Sequence, residues 1–403
     1  VIPTQTNPAV APEVRREGLA PNPDRTIPLY AVLAVLAFCA FWILLGSLVV
    51  PGARQHDFLS FYTGASLARD GTFKYGTFKD MYAPDVQLER QREYAQLPDL
   101  VPYIRPPFYA LFLTPLAWLP FGAAFWAWLG IQTAVLLGAW AWAFRRWGTD
   151  ALIFGSMYLP TALGIAHAQD CVLMLAIVGG VYWLARREKH FLSGVILGAG
   201  LIKFHLFLLW PLAVLIQRRW RMLAGACAAA LVELLVSLLL VGPSGLMQYA
   251  ALLRMPDLRQ LNPSPELMIN VRSLALNLGM DNLMVTGMLT AVVAILTVAA
   301  CWRAPLWRVV AAASAGSLLV APHVYGYDAA LLLAGLWLAM FEPGGTRGAR
   351  ITATVLLTPV PLLLGLAGSP WAAATPLALL AFLISLAWMI PWVSRETVLA
   401  TTA

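Results

Sequence analysis

Residues 29–50 read LYAVLAVLAFCAFWILLGSLVV, an uninterrupted run without a charged side chain. At 1.5 Å per residue such a run reaches across the hydrocarbon layer of a bilayer, about 30 Å thick. Working outward from it, apolar runs recur at about 150–166, 169–185, 191–204, 205–217, 222–241, 282–301, 308–322, 328–341, 351–367 and 371–392. One net crossing from 108–144 brings the expectation to about twelve transmembrane helices in an all-α integral membrane protein.

Composition agrees. Of 403 residues, 60% are hydrophobic and 12% charged, about half the charge of a soluble domain. Sixteen Trp suit the boundary between hydrocarbon and headgroups. The net charge of +7 does not mark a nucleic-acid protein, because the bases form no patch interleaved with aromatics. They form short clusters between apolar runs: Arg145 and Arg146, Arg186 with Arg187 and Lys189, Arg218 with Arg219 and Arg221, Arg303 and Arg308, Arg347 and Arg350. Such clusters stay on the cytoplasmic side, so both termini are expected inside a cell membrane. Cys39, Cys171, Cys227 and Cys301 lie far apart in apolar stretches and read as small buried hydrophobes.

Residues 1–28 are polar and Pro-rich and read as a disordered cytoplasmic tail without a cleavable signal peptide, with a second cytoplasmic tail at 394–403. Between them, 29–393 form one membrane domain. Residues 51–107 carry seven acidic and seven basic side chains, a balance that suits a large extracytoplasmic first loop. Within it, Asp85 to Ala95 has helical character, while Pro102, Pro106 and Pro107 forbid continuous helix. In 108–144, Pro115 and Pro120 mark off a short half, read as a re-entrant or interfacial piece; a helix pair is the other option.

Several crossings are only about 14 residues long, and short helices joined at polar turns imply a cavity, since irregular backbone at membrane depth must face protein or water. The turns His167 to Asp170, Lys203 to His205 and His323 to Asp328 all fall on the same outer side as the 51–107 loop. Asp57, just beyond the first span, is a candidate base; the competing reading is a solvated loop carboxylate or a helix cap. Lys203 is an intramembrane cation that faces either a cavity and an anion or, by snorkelling, the headgroups. His323 and Asp328 suit a phosphate and an acceptor hydroxyl, or simply each other. The His and Asp residues never recur at i, i+3 or i, i+4 on one helix face, so no metal and no other cofactor is expected.

The run Asp57-Phe58 to Tyr62, then Tyr82, then Arg105-Pro106-Pro107-Phe108 leading into Pro115 and Pro120, resembles the opening signature of glycosyltransferase family 87. Ala168-Gln169, Lys203-Phe204-His205 and Ser317 to His323 follow in the family's order, so the likeness spans residues 55 to about 340. Arg105 stands where Tyr is common, Ala168 where Gly is usual and Phe204 where Pro is frequent, and Tyr327 rather than His precedes Asp328. The resemblance implies a GT-C-type helical bundle that transfers a sugar, mannose foremost, from polyprenyl phosphate to a lipid-linked or glycan acceptor on the outer face. It implies Asp57 as catalytic base and His323 at the donor phosphate. Lys203, His205 and Arg105 are further expected around that phosphate, with His56, Tyr62, Tyr82, Gln169, Asp170, Tyr327 and Asp328 in acceptor or supporting roles. The implied partners are donor, acceptor and membrane lipids, and no nucleic acid. A secondary transporter or lipid flippase is the rival from another class; broken helices with embedded charges suit it, but no repeat is visible.

Overall fold

A chain this apolar must satisfy its backbone within each segment, and helices do so. In the computed structural model, which describes residues 26–388 apart from 56, 72–79, 96–99, 255–263 and 281, all regular structure is helical. His56, the 394–403 tail and all but the last residues of the 1–28 tail lie outside the described residues.

The helices run α1 (Leu29–Gln55), α2 (Asp57–Asp70), α3 (Pro84–Arg92), α4 (Pro107–Leu113), α5 (Phe121–Trp147), α6 (Thr149–Met157), α7 (Leu159–Ala166), α8 (Cys171–Arg186) and α9 (His190–Gly198). They continue with α10 (Trp210–Ile216), α11 (Trp220–Leu252), α12 (Val271–Asn277), α13 (Leu283–Cys301), α14 (Leu306–Val320), α15 (Leu333–Phe341), α16 (Arg347–Leu357), α17 (Val360–Gly365) and α18 (Ala374–Ala387). Among the described residues five helical stretches are long and apolar enough to cross a membrane: Leu29–Leu48, Phe121–Trp147, His190–Phe207, Trp220–Leu252 and Leu283–Cys301. Five more, such as Cys171–Arg186 and Leu306–Val320, are apolar but only 10–17 residues long.

Where a polar outer loop is expected, the structure has packed helices. Twelve of the fourteen residues of α2 are buried. Its Gly64 lies under the Tyr103 ring, where an added Cβ would come within 2.5 Å of a ring carbon, so only glycine fits. Asp70 at its end pairs with Arg69 at 2.9 Å and with Arg90 of α3 at 2.8 Å. Burial pushes the Asp70 carboxyl up, yet the two guanidiniums outweigh it and hold the group below the usual carboxylate range.

The same helix explains the 108–144 segment. Ser60 Oγ donates to the Pro102 carbonyl and Tyr62 Oη to the Leu119 carbonyl, so α2 grips both ends of 102–119. Tyr82 Oη, donating to the Arg105 carbonyl at 2.6 Å, adds a third tie. Pro107–Trp118, containing α4 and the 3₁₀ turn Thr114–Trp118, is short, and within this segment only α5 is long and apolar enough to cross a membrane.

Small residues let α9 and α11 approach closely. A Cβ on Gly194 would lie 1.9 Å from the Met222 carbonyl oxygen, one on Gly225 2.0 Å from that of Phe191, and one on Gly198 2.4 Å from Ala229 Cβ. Gly194 and Gly198 are four apart and so face one way, the small-residue arrangement by which membrane helices pack without a hydrophobic drive. At the opposite end from the polar turns, Glu342 pairs with Arg146 at 2.9 Å and with Arg186 at 3.5 Å, tying α5, α8 and the end of α15 together.

Candidate active site

Each polar turn has a local cause. Between α7 and α8 the chain reverses at Ala168, whose φ of +53° lies in the left-handed region; Trp128 Nε1 of α5 holds its carbonyl at 2.8 Å. After α9, Lys203 breaks the helical path with φ −127° and ψ 59°. After α14, Pro322 interrupts the helix, Asn270 Nδ2 donates to the Ala321 carbonyl at 2.8 Å, and the Tyr325 N–H is capped by Asp328 Oδ2 at 2.9 Å.

The three turns converge on a buried charge cluster. Lys203 Nζ lies 2.9 Å from Asp170 Oδ1 and 2.7 Å from Asp328 Oδ1. Arg105 reaches Asp170 through Nε at 3.0 Å and Nη2 at 3.2 Å, a two-pronged contact. Gln169 Oε1 accepts from Arg105 at 3.3 Å and from Lys203 at 3.4 Å, and Cys171 Sγ donates to Asp328 at 3.3 Å. Two cations and two carboxylates thus neutralise one another out of water. Arg105 and Lys203, expected at the donor phosphate, direct their charge inward to these carboxylates.

Above this cluster Asp57, the first residue of α2, is 29% exposed, and His167 Nδ1 stands 3.5 Å from its Oδ2. From His167 a chain of ring contacts crosses the site: to Tyr327 at 5.4 Å, on to Tyr325 at 5.9 Å, to His323 at 5.3 Å and to His205 at 6.0 Å between centroids. Lys203 Nζ lies 5.7 Å from the Tyr327 ring, joining the charge cluster to the same wall. Asp57 is near enough to His323 and Tyr327 to act on both electrostatically. His205 Nε2 is buried without a hydrogen-bond partner. His323 sits in the turn outside the helices, where burial pushes its imidazole down to about 4, so it is neutral at pH 7.

An apolar cavity of about 400 Å³ adjoins the second turn, with Leu201, Phe204 and Phe207 on one wall and Ala226, Cys227 and Ala230 of α11 on the other. Among the described residues no three His, Cys, Asp or Glu side chains are grouped as metal ligands.

Of the residues singled out in the sequence, Asp57, Arg105, Gln169, Asp170, Lys203, His205, His323, Tyr327 and Asp328 meet at this site. Tyr62 and Tyr82 do not line it: their hydroxyls go to the Leu119 and Arg105 carbonyls and fix the elements beneath it. His56 lies outside the described residues. Two participants were missed. His167 is Asp57's neighbour, and its signal was a histidine opening the very turn from which only Gln169 and Asp170 were taken. Cys171 looks like one more apolar-helix cysteine, and nothing in its spacing marks it.

Neither the curated proteins nor the solved structures compared with the chain gave a match. A family model described as glycosyltransferase family 87 matches residues 103–324, more than half of the chain. The matched stretch holds Arg105, Gln169, Asp170, Lys203, His205 and His323, while Asp57, Tyr327 and Asp328 fall on either side of it. The chain therefore belongs to glycosyltransferase family 87, as a membrane protein that takes a sugar donor and an acceptor.

Proposed function

We propose that the chain transfers a sugar, mannose foremost, from a polyprenyl-phosphate donor to a hydroxyl of a lipid-linked or glycan acceptor, with inversion, on the extracytoplasmic face of the cell membrane. In this reading it is a hexosyltransferase of the GT-C type that crosses about twelve times, with both termini inside. The observation that carries the proposal is the division of labour at the site. Asp57 stands half-open at one end and a pair of histidines at the other, while Arg105 and Lys203 are already neutralised by Asp170 and Asp328.

The chemistry needs little more. A glycosidase uses a second carboxyl to protonate a poor alkoxide leaving group; a prenyl phosphate departs as a stable anion. Asp57 takes the acceptor's hydroxyl proton as that oxygen bonds to the anomeric carbon. The bond from that carbon to the phosphate oxygen breaks, and its electron pair leaves with the prenyl phosphate. His205 Nε2, buried and unpartnered, and His323 are the donors assigned to that phosphate. Preorganised donors in a water-poor site are worth about 3–4 kcal/mol each to such a step. His167 keeps Asp57 oriented. The apolar cavity beside Phe204 suits the first prenyl units.

The test is a transfer assay with purified protein in lipid nanodiscs, extracted membrane lipids as acceptor pool, and either polyprenyl-phosphate mannose or a nucleotide mannose as donor. Mass spectrometry should find a new glycoside with the lipid donor alone. Product from the nucleotide sugar in the absence of prenyl phosphate would overturn the donor class.

A further inference from the structure

At the other end of α8, roughly 24 Å from Asp170 at 1.5 Å per residue, lies a second cavity of about 340 Å³. It is lined by Ala185, Arg186, Glu188, His190, Arg219 and Leu306. Half of that lining is basic. Arg219 presents a buried Nε with no hydrogen-bond partner, and His190 a buried Nδ1 in the same condition. A buried donor without a partner is costly, so Arg219 Nε calls for an acceptor. His190 Nε2 is 2.9 Å from Glu188 Oε2; a carboxylate only accepts, so Nε2 carries a proton and Nδ1 of the neutral ring is an acceptor. Arg186 is fixed by Tyr182 Oη at 2.9 Å and Glu342 Oε2 at 3.5 Å. The only carboxylate in the lining, Glu188, has an 86% exposed side chain and so belongs to the rim.

The helix geometry adds to the side chains. His190 is the first residue of α9, Arg219 directly precedes α11, and Leu306 is the first residue of α14, and none of these three starts carries a side-chain cap. Each brings unpaired backbone N–H groups and the positive end of a helix dipole to one place, an arrangement that favours an oxyanion.

We propose that this cavity is a phosphate-binding site at the basic end of the molecule, separate from the transfer site. Its ligand is a phosphate group carried either by an anionic phospholipid headgroup or by free inorganic phosphate. Arg219 Nε donates to it, and Arg186 supplies further positive charge. The site locks the starts of α9, α11 and α14 together, and it stands or falls independently of the sugar donor's identity.

Two probes test it on the full chain in mild detergent. Native mass spectrometry reads retention of phosphatidylglycerol against phosphatidylcholine, and thermal unfolding reads added inorganic phosphate against chloride at matched ionic strength. Three variants are compared with the parent: Arg219→Gln, Glu188→Gln, and Arg350→Gln as a remote basic control. If the ligand is a lipid headgroup, phosphatidylglycerol is retained at least tenfold less by Arg219→Gln and several-fold more by Glu188→Gln, and phosphate leaves the midpoint unchanged. If it is the free anion, phosphate raises the parent's midpoint saturably, more so for Glu188→Gln and not for Arg219→Gln. Should Arg219→Gln fail to fold, the exposed Glu188→Gln decides alone, since removing the rim carboxylate must tighten one probe. No tightening of either probe in Glu188→Gln, or equal losses in Arg219→Gln and Arg350→Gln, overturns the proposal.

Discussion

Ala168 sits at φ +53°, where a Cβ costs about 1 kcal/mol or more that glycine avoids. Ala168→Gly should therefore raise the thermal midpoint by a few degrees with the site intact; an unchanged or lower midpoint would mean the turn is shaped by its neighbours instead. Lys203 makes a stronger case. Intramembrane charges are legible in a sequence as functional candidates, but their partners are not: Lys203 meets Asp328 across 125 positions. Removing one member of a buried pair leaves its partner uncompensated, at about 3–5 kcal/mol. Lys203→Met should accordingly lose stability as well as activity. A variant that kept its unfolding midpoint and lost only donor affinity would return Lys203 to the phosphate. Asp57 was legible as a carboxylate just beyond the first apolar run, and its neighbour His167 was not, because their adjacency follows from α2 folding back onto the turn after α7.

Between elements, glycines separate tight contacts from open ones. Gly194→Val should drive α9 off the Met222 carbonyl and destabilise by roughly 1–3 kcal/mol, read as a lower unfolding midpoint. Gly179→Ala, with nothing within 4 Å of the new Cβ, should be neutral or slightly stabilising through helix propensity. Equal losses in both would mean that the α9–α11 contact is not what limits stability. The longest apolar helices, such as Leu29–Leu48 and Leu283–Cys301, were legible because a lipid-facing helix needs a long apolar run. The burial of α2 within the 51–107 stretch was not legible. The stretch carries seven acids and seven bases, yet α2 buries Ser60, Thr63 and Ser66 with their hydroxyls satisfied: Ser60 Oγ donates to the Pro102 carbonyl, Thr63 Oγ1 to that of Leu59 and Ser66 Oγ to that of Thr63. A composition count does not register such bonds. The Lys203 to His205 turn, in contrast, was marked by polar residues between apolar runs and appears where expected.

Across the whole molecule the two ends differ in charge logic. The end where the three polar turns meet buries balanced pairs; the other end collects bases around helix starts. His323 links the end with the polar turns to pH. Its imidazole, pushed down to about 4 against an ordinary value of 6.5, binds a proton less readily folded than unfolded. The stability it allows is complete above about pH 6.5 and is lost as pH falls toward 4. His323→Gln should flatten that part of the stability profile, and an unaltered slope would assign it to other groups. The family match supplies the reaction class, and the convergence of three distant turns supplies the site. The central claim is that the Asp57 carboxylate is the base for transfer, and the most direct measurement is the single-turnover rate of sugar transfer from polyprenyl phosphate by the purified parent and by Asp57→Asn in nanodiscs. The account predicts a folded variant with unchanged donor binding and a rate reduced at least a hundredfold, as for loss of a positioned base; a variant that transfers at the parental rate would contradict it.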